Sequence, residues 1–258
     1  MTAEIVERVR RSARYRDVDP AMVERIAAEE IVRSRGTDDA VKRVKRRLHQ
    51  AVGAFRGARA AEGLAGVSRE ACAGAMRAHA STRERLPHLD RFYASIWERT
   101  GTPARLMDLG CGLNPLSLPW MELDPTATYL ACDVDERPLA VVRAFLEGAG
   151  QPHVVETRDL VASPPDDEAE VALLLKLVTT LDRQDAGAAE RLLRSLRARH
   201  AVVSFATRSL AGRGDRRERT YRERLERLAT DAGRVLSIED ASIPNELVFV
   251  LALEPIDG

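Results

Sequence analysis

The chain has 258 residues, 45% hydrophobic and 31% charged, enough for one domain of about 150 residues with an extension of about 100, and no apolar run approaches the roughly 18 residues that span a bilayer. Three cysteines, Cys72, Cys111 and Cys132, lack the close pairing of a zinc site and the even count of a disulfide framework, so no metal is expected and all three read as small buried residues. Forty Lys and Arg balance forty Asp and Glu, yet residues 1–100 hold 21 basic against 14 acidic side chains (+7), which leaves −7 for the rest and suggests that the first part meets a polyanion.

The opening MTAEIVERVRR is charged and helical without an apolar segment, so no secretory signal is expected and the chain should stay in the cytoplasm. Ile5, Val6 and Val9 mark a first short helix. Asp19 before Pro20 reads as an N-cap with proline at the first helical position, and Met22, Val23, Ile26, Ala27 and Ile31 form the apolar stripe of a second helix ending near Gly36. Thr37 can cap a third, where Val41, Val44, Leu48, Val52 and Phe55 recur at steps of three and four. Lys42, Arg43, Lys45, Arg46 and Arg47 fall largely away from that stripe. Such a cluster exceeds what solubility requires and predicts a phosphate-binding face.

Gly57 to Gly66 is a small-residue, glycine-rich break, and Ser68 to Ala80 follows as a plausible helix. Ser81 and Glu84 have capping-box spacing. From Pro87 to Gly101, Leu89, Phe92, Tyr93, Ile96 and Trp97 form a helix that should pack on what comes next. Residues 1–80 are therefore assigned to a helical docking domain and 81–258 to a second domain.

In Arg105–Trp120, RLMDLGCGLNPLSLPW, a short buried strand runs into a turn in which Gly110 and Gly112 permit backbone that a side chain would obstruct. A dinucleotide fingerprint would place a third glycine where Pro115 stands, after Asn114. A ligand without a pyrophosphate suits this departure, and Asp108 in D-x-G-x-G is how S-adenosylmethionine (SAM) enzymes begin their doubly wound domain. Strands are predicted at Leu106–Leu109, Tyr129–Asp133, Val154–Glu156, Val171–Leu175, Ala201–Ala206, Val235–Ile238 and Leu247–Ala252, with helices at Arg137–Glu147, Ala186–Arg199 and Arg219–Ala232. The link around Pro244 and Asn245 is too short for a crossover, so the last two strands should pair antiparallel. The expected fold is α/β, class I SAM-dependent methyltransferase (Rossmann-like): a seven-stranded, mostly parallel sheet with an antiparallel last strand, behind an all-helical extension.

The ligand of such a sheet lies outside the carboxyl ends of its strands. There Asp133, 21 residues after Gly112, can reach a ribose hydroxyl pair, with Asp135 as the rival. Asp159 is placed to accept from an adenine amino group, and Lys176 ends VALLLK where the transferred methyl should emerge.

The stretches LGCGLNPLSLPW, LLLK, HASTRERLP (His79 to Pro87) and SFATRSLAGR (Ser204 to Arg213) resemble the aminoglycoside-resistance 16S rRNA methyltransferases, which modify guanine N7 at position 1405 in the decoding site of the assembled 30S subunit. The likeness covers most of the chain. It implies SAM as cofactor, 16S rRNA within the 30S subunit as partner, a monomer, and protection from kanamycin- and gentamicin-type drugs. Roles follow at the matching positions Arg85, Gly110, Asp133, Asp159 and Lys176. The cofactor set is then Arg85, Asp108, Gly110, Gly112, Asn114, Asp133, Asp159, Leu160 and Lys176, and Lys176, Arg208 and Arg85 surround the transfer end. Ala206 departs from the proline expected in S-F-P-T, which bears on loop rigidity. The other readings of these residues are a SAM methyltransferase of a small metabolite and a non-catalytic 30S-binding assembly factor.

Overall fold

The computed structural model describes residues 1–52, 68–77, 80–207 and 214–256; the expected glycine-rich break, Phe55, His79 and Arg208 lie outside them. Three helices open the chain, α1 (Thr2–Arg10), α2 (Pro20–Ile31) and α3 (Thr37–Val52). Asp19 caps α2 by accepting the Ala21 N–H at 2.8 Å, with Pro20 in the first turn. The predicted stripes of α1–α3 close on one another: Ile5, Val9, Met22, Val23, Ile26, Val44 and Leu48 are buried together as a core of their own, to which the second part of the chain contributes Val134.

Next come α4 (Arg69–Arg77), α5 (Ala80–Arg85), a turn of 3-10 helix and α6 (Leu89–Thr100). Cys72, Ala73, Ala75 and Met76 of α4 share a core with α6 and the sheet rather than with α1–α3. Among the described residues, α1–α3 thus form one core and α4 belongs to the core of the sheet.

From residue 105 the order is β1 (Arg105–Leu109), α7 (Leu118–Met121), β2 (Thr128–Asp133), α8 (Glu136–Ala149), β3 (His153–Thr157), β4 (Ala169–Leu175), α9 (Val178–Gln184), α10 (Ala188–Ser195), β5 (Ala198–Ala206), α11 (Gly214–Ala232), β6 (Val235–Asp240) and β7 (Glu246–Leu253). The seven strands lie in the order β3-β2-β1-β4-β5-β7-β6. β1 to β5 pair in parallel, and β7 runs antiparallel between β5 and β6. This is the class I methyltransferase arrangement expected above.

The helix predicted over Ala186–Arg199 is corrected at its C-terminal end. α10 stops at Ser195, Leu196 turns extended (φ −68°, ψ 118°), and Ala198 already pairs with Ala169 of β4. The ladder of the parallel sheet overrides a helical pattern that Leu192, Leu193 and Leu196 continue.

Successive strand residues face opposite layers. In β4, Val171 and Leu173 join the α4–α6–α8 layer while Ala172 and Leu174 join the α9–α11 layer; in β7, Val248 and Val250 take the first layer, Leu247, Phe249 and Leu251 the second. By that alternation Asp108 of β1, Ser204 of β5 and Glu246 of β7 all point to the α6 side. Glu246 accepts from Ser204 and is linked through Arg85 and Asn114 to Asp108 at one end of that layer.

Candidate active site

The turn after β1 is built as its glycines predict. Gly110 and Gly112 hold φ of 64° and 51°, the region that side chains disfavour, and a Cβ on Gly110 would lie 2.9 Å from Leu177 Cδ1. The turn is tied to the end of β2 by the Cys111 N–H donating to the Cys132 carbonyl at 3.0 Å. Gly112 N–H donates to Asp133 Oδ2 at 2.9 Å, and Val134 and Asp135 donate to Oδ1 at 2.7 and 3.3 Å. Asp133 is thus oriented by three neutral backbone donors while only 3% exposed. Burial pushes its carboxyl up to about 7 in spite of those donors, and neighbouring Asp135 adds to the rise. Asp135 itself caps α8 and forks with Arg137. Of the two rivals, Asp133 faces the cleft and Asp135 is committed to a helix end.

A cleft opens at the carboxyl ends of β1, β2 and β4, where a sheet of this kind takes its ligand. Every residue of the expected cofactor set lines it: Arg85, Asp108, Gly110, Gly112, Asn114, Asp133, Asp159, Leu160 and Lys176. Val134, Leu160 and Leu181 supply apolar wall, and Ala51 of α3 and Gln184 of α9 complete the rim.

At the transfer end the wall is a buried polar network. Arg85, 3% exposed, donates to Glu246 through Nη2 (2.5 Å) and Nε (3.2 Å) and to Asn114 Oδ1 at 2.9 Å, and its guanidinium lies 4.5 Å from the Phe92 ring centroid. Asn114 passes the chain on to Asp108 at 2.9 Å, which also accepts from Tyr129 at 2.8 Å. Burial raises Asp108 to about 6, moderated by those two donors and by Arg85. Glu246 further accepts from Ser204 Oγ at 2.5 Å, and Lys176 Nζ stands 3.0 Å from Glu84 and 3.5 Å from Glu246. Burial alone would raise Glu246; the charges of Arg85 and Lys176 hold it below the usual carboxylate range.

Arg85, expected around the transfer end, lines the cleft there with its guanidinium held by Glu246 and Asn114. Lys176 stands just past β4 with φ 58°, and its N–H donates to the Ser204 carbonyl at 3.1 Å; this turn sets Leu177 over Gly110. Sequence reasoning missed Glu246 and Glu84. The available signal for Glu246 was that it is the only charge in the apolar strand ELVFVLAL.

At the opposite end Asp159, 3% exposed, accepts from Arg25 of α2 at 2.7 and 3.2 Å as well as from the Val161 N–H at 3.1 Å. Arg25 was not anticipated. The five cations of α3 do not form one face either. Arg43 pairs with Glu30 at 2.6 Å, and Arg47 pairs with Glu29 and Glu30 and donates to the Gln184 carbonyl at 2.7 Å. Glu30 is 3% exposed, and a buried carboxylate requires such partners. These two arginines therefore bind α3 to its neighbours, while Lys42 and Arg46 are exposed and Lys45 half-buried.

The cleft fits SAM on its own chemistry. Positive-φ glycines admit a ligand to the backbone, a fixed buried carboxylate at the end of β2 matches a ribose diol, an acceptor at Asp159 matches an exocyclic amine, and apolar walls match a purine. Among the described residues no His, Cys, Asp and Glu side chains converge as a metal site, and no helix is long and apolar enough to cross a membrane.

Comparisons with known proteins agree with this geometry. A family model described as ribosomal RNA methyltransferase (FmrO) matches residues 11–250. A 16S rRNA (guanine(1405)-N(7))-methyltransferase of Frankia casuarinae is 41% identical, over 95% of this chain and 91% of that protein. One of the same name from Micromonospora rosea is 37% identical, over 96% and 95%. The crystal structure of the 16S rRNA methyltransferase RmtF in complex with S-adenosyl-L-homocysteine (SAH) superposes with a TM-score of 0.86 at 33% identity, covering 98% of each chain.

Proposed function

Because the chain belongs to the ribosomal RNA methyltransferase (FmrO) family, we propose that it methylates N7 of guanine 1405 of 16S rRNA. In this reading it works as a monomer on the assembled 30S subunit in the cytoplasm and protects ribosomes from kanamycin- and gentamicin-type aminoglycosides. The observation that carries the reading is the state of the ionisable groups at the transfer end of the cleft. Lys176, Glu84, Glu246 and Arg85 are tied to one another in ion pairs, so this group is arranged to hold position and charge rather than to take up a proton. That suits guanine N7, which has a lone pair and bears no proton, and which needs only in-line placement at near-attack distance.

SAM supplies an electrophilic methyl group when bound. The residues of the chain do the rest. Asp133 takes the ribose hydroxyl pair and Asp159 the adenine amine, while the Gly110–Gly112 turn lets the backbone approach. Arg85 and Glu246 fix the wall on which Lys176 stands, and Lys176 with Arg208 grips the guanine O6 or a flanking phosphate. A base inside a helix must first be flipped out at a cost of a few kcal/mol, offset by phosphate contacts of the helical cluster, with Lys42, Lys45 and Arg46 as its docking cations.

Incubation with methyl-labelled SAM and 30S subunits tests this, followed by mapping of N7-methylguanine by chemical strand scission. One labelled guanine, at position 1405, is expected, and Lys176→Ala should abolish it. Label confined to small molecules would replace the reading with a metabolite methyltransferase, and tight 30S binding without label would leave an assembly factor.

A further inference from the structure

The helical cluster does more than stand beside the cofactor cleft. Arg25 of α2 reaches a residue 134 positions away: its Nε and Nη2 take the two oxygens of Asp159 at 2.7 and 3.2 Å, and Nη2 also donates to Gln184 Oε1 at 3.2 Å. Arg47 of α3 holds the backbone of the same Gln184 at 2.7 Å. Two main-chain bonds secure the cluster to the segment just after Asp133, from the Asp19 N–H to the Val134 carbonyl (2.8 Å) and from the Glu136 N–H to the Asp17 carbonyl (2.9 Å). Asp159 is thus held directly from the helical cluster, and the residues that follow Asp133 are tied to the same cluster.

Building on the cofactor reading above, we propose that Arg25 is a positioning residue of the SAM site, and that through its clamp on Asp159 cofactor binding and docking of the helical cluster on rRNA are thermodynamically linked. A carboxylate has about four lone-pair sites. Among the described residues, Asp159 Oδ1 accepts from Arg25 and Val161, and Oδ2 from Arg25, so that a second lone pair of Oδ2 is suited to one amine donor. The fork sets which way that lone pair points. With Asp159 3% exposed and the Arg25 side chain 17% exposed, this charge-assisted pair is stronger than a surface pair, and loss of the arginine would leave a buried carboxylate uncompensated. The helix that contributes Ala51 to the cleft also carries the exposed Lys42 and Arg46 and the half-buried Lys45. A movement of the cluster on docking therefore moves Asp159, and by reciprocity occupation of the cleft alters docking by the same factor.

Calorimetry of SAH binding to the full-length protein tests the first half, and 30S binding with and without saturating SAH tests the second. Arg25→Ala should weaken SAH binding at least about tenfold, with partial rescue in Arg25→Lys, which keeps the charge but not the fork. SAH should tighten 30S binding of the unaltered protein by about fivefold or more, and Arg25→Ala should bring that factor to about one while 30S affinity without SAH stays the same. If Arg25→Ala does not fold, Arg25→Lys and Gln184→Ala carry the same measurements, since Gln184→Ala removes a partner of Arg25 without stranding a charge. SAH affinity within twofold of the unaltered protein in these variants overturns the proposal, as does an SAH effect on 30S binding that is equal in all of them. Failure of the unaltered protein to bind SAH would bring down the cofactor reading as well, whereas normal binding with indifferent variants brings down this inference alone.

Discussion

Two regions of the cleft, the end of β2 and the start of β7, solve the problem of a buried carboxylate in opposite ways. Asp133 and Glu246 are 3% and 2% exposed, yet Asp133 is held by three neutral backbone donors and rises to about 7, whereas Glu246 sits among Arg85, Lys176 and Ser204 and is held below its ordinary value. A cationic partner neutralises the charge it stabilises. Neutral donors orient the carboxylate and leave its charge for an incoming ligand, in the proposed reading the cationic, diol-bearing SAM. The group around Glu246 is internally balanced, as Asp159 is by Arg25, whereas Asp133 has no cationic partner among the described residues.

The largest effect expected from this contrast is at Glu246. Glu246→Ala would strand the Arg85 guanidinium in the core, and breaking such a pair costs about 3–5 kcal/mol. Urea or thermal unfolding should register the loss, and an unchanged midpoint would show that the network does not hold the wall. Next comes Asp133→Ala, expected to weaken SAM binding by about 1.5–3 kcal/mol through lost charge-assisted hydrogen bonds while the fold stays intact. Asp135→Ala should instead cost about 1 kcal/mol of stability through the lost cap; calorimetry and melting together separate the two residues.

The same comparison has a pH signature. Because burial raises the Asp133 pKa from 3.8 to about 7, the folded chain holds this proton more tightly than the unfolded one. Its contribution to the stability of the ligand-free protein is fully present below 3.8 and is lost as pH rises through about 7. SAM affinity should run the other way, rising about tenfold per pH unit up to that value and then levelling, with release of a proton on binding. Asp133→Asn should flatten the profile, and a steep profile in that variant would assign the titration to another group such as Asp108.

The smallest effect concerns the outer face of α3. Reversing Lys45 and Arg46 to Glu should weaken 30S binding and flatten its salt dependence by about one unit of slope per lost phosphate contact, with SAM affinity of the free protein unchanged. Arg43 and Arg47 are not equivalent probes, since their removal would take from Glu30 its two nearest cations. A double reversal that binds 30S normally across a salt series would move the docking surface elsewhere.

The parts of the fold written in short-range pattern were legible. Gly110 and Gly112 mark a turn that other residues resist, the apolar runs of β1, β4 and β7 mark buried strands, and the stripe of α3 marks its inner face. What was hidden is decided between distant segments. Nothing local distinguishes Arg43 and Arg47 from Lys42 and Arg46 until α2 presents Glu29 and Glu30 to one side of the helix. Arg25 is one charge among many until α2 is laid beside the loop after β3. α9, VTTLDRQ, is short and rich in β-branched residues, so its helical character comes from packing rather than propensity, and Ala198–His200 becomes strand only because β4 offers it a ladder.

The place of β7 sets an order of events during synthesis. It enters between β5 and β6, and its first residue supplies the counter-charge of Arg85, so neither the sheet nor the transfer end of the cleft can close until translation has passed Leu253. The core of α1–α3, in contrast, draws almost wholly on residues 5–52 and is available some 200 residues earlier, about 10–40 s at 5–20 residues per second. The nascent chain therefore acquires its cation-bearing cluster well before it can hold a cofactor. Limited proteolysis of chains arrested before residue 246 should find α1–α3 protected and the sheet still open to cleavage.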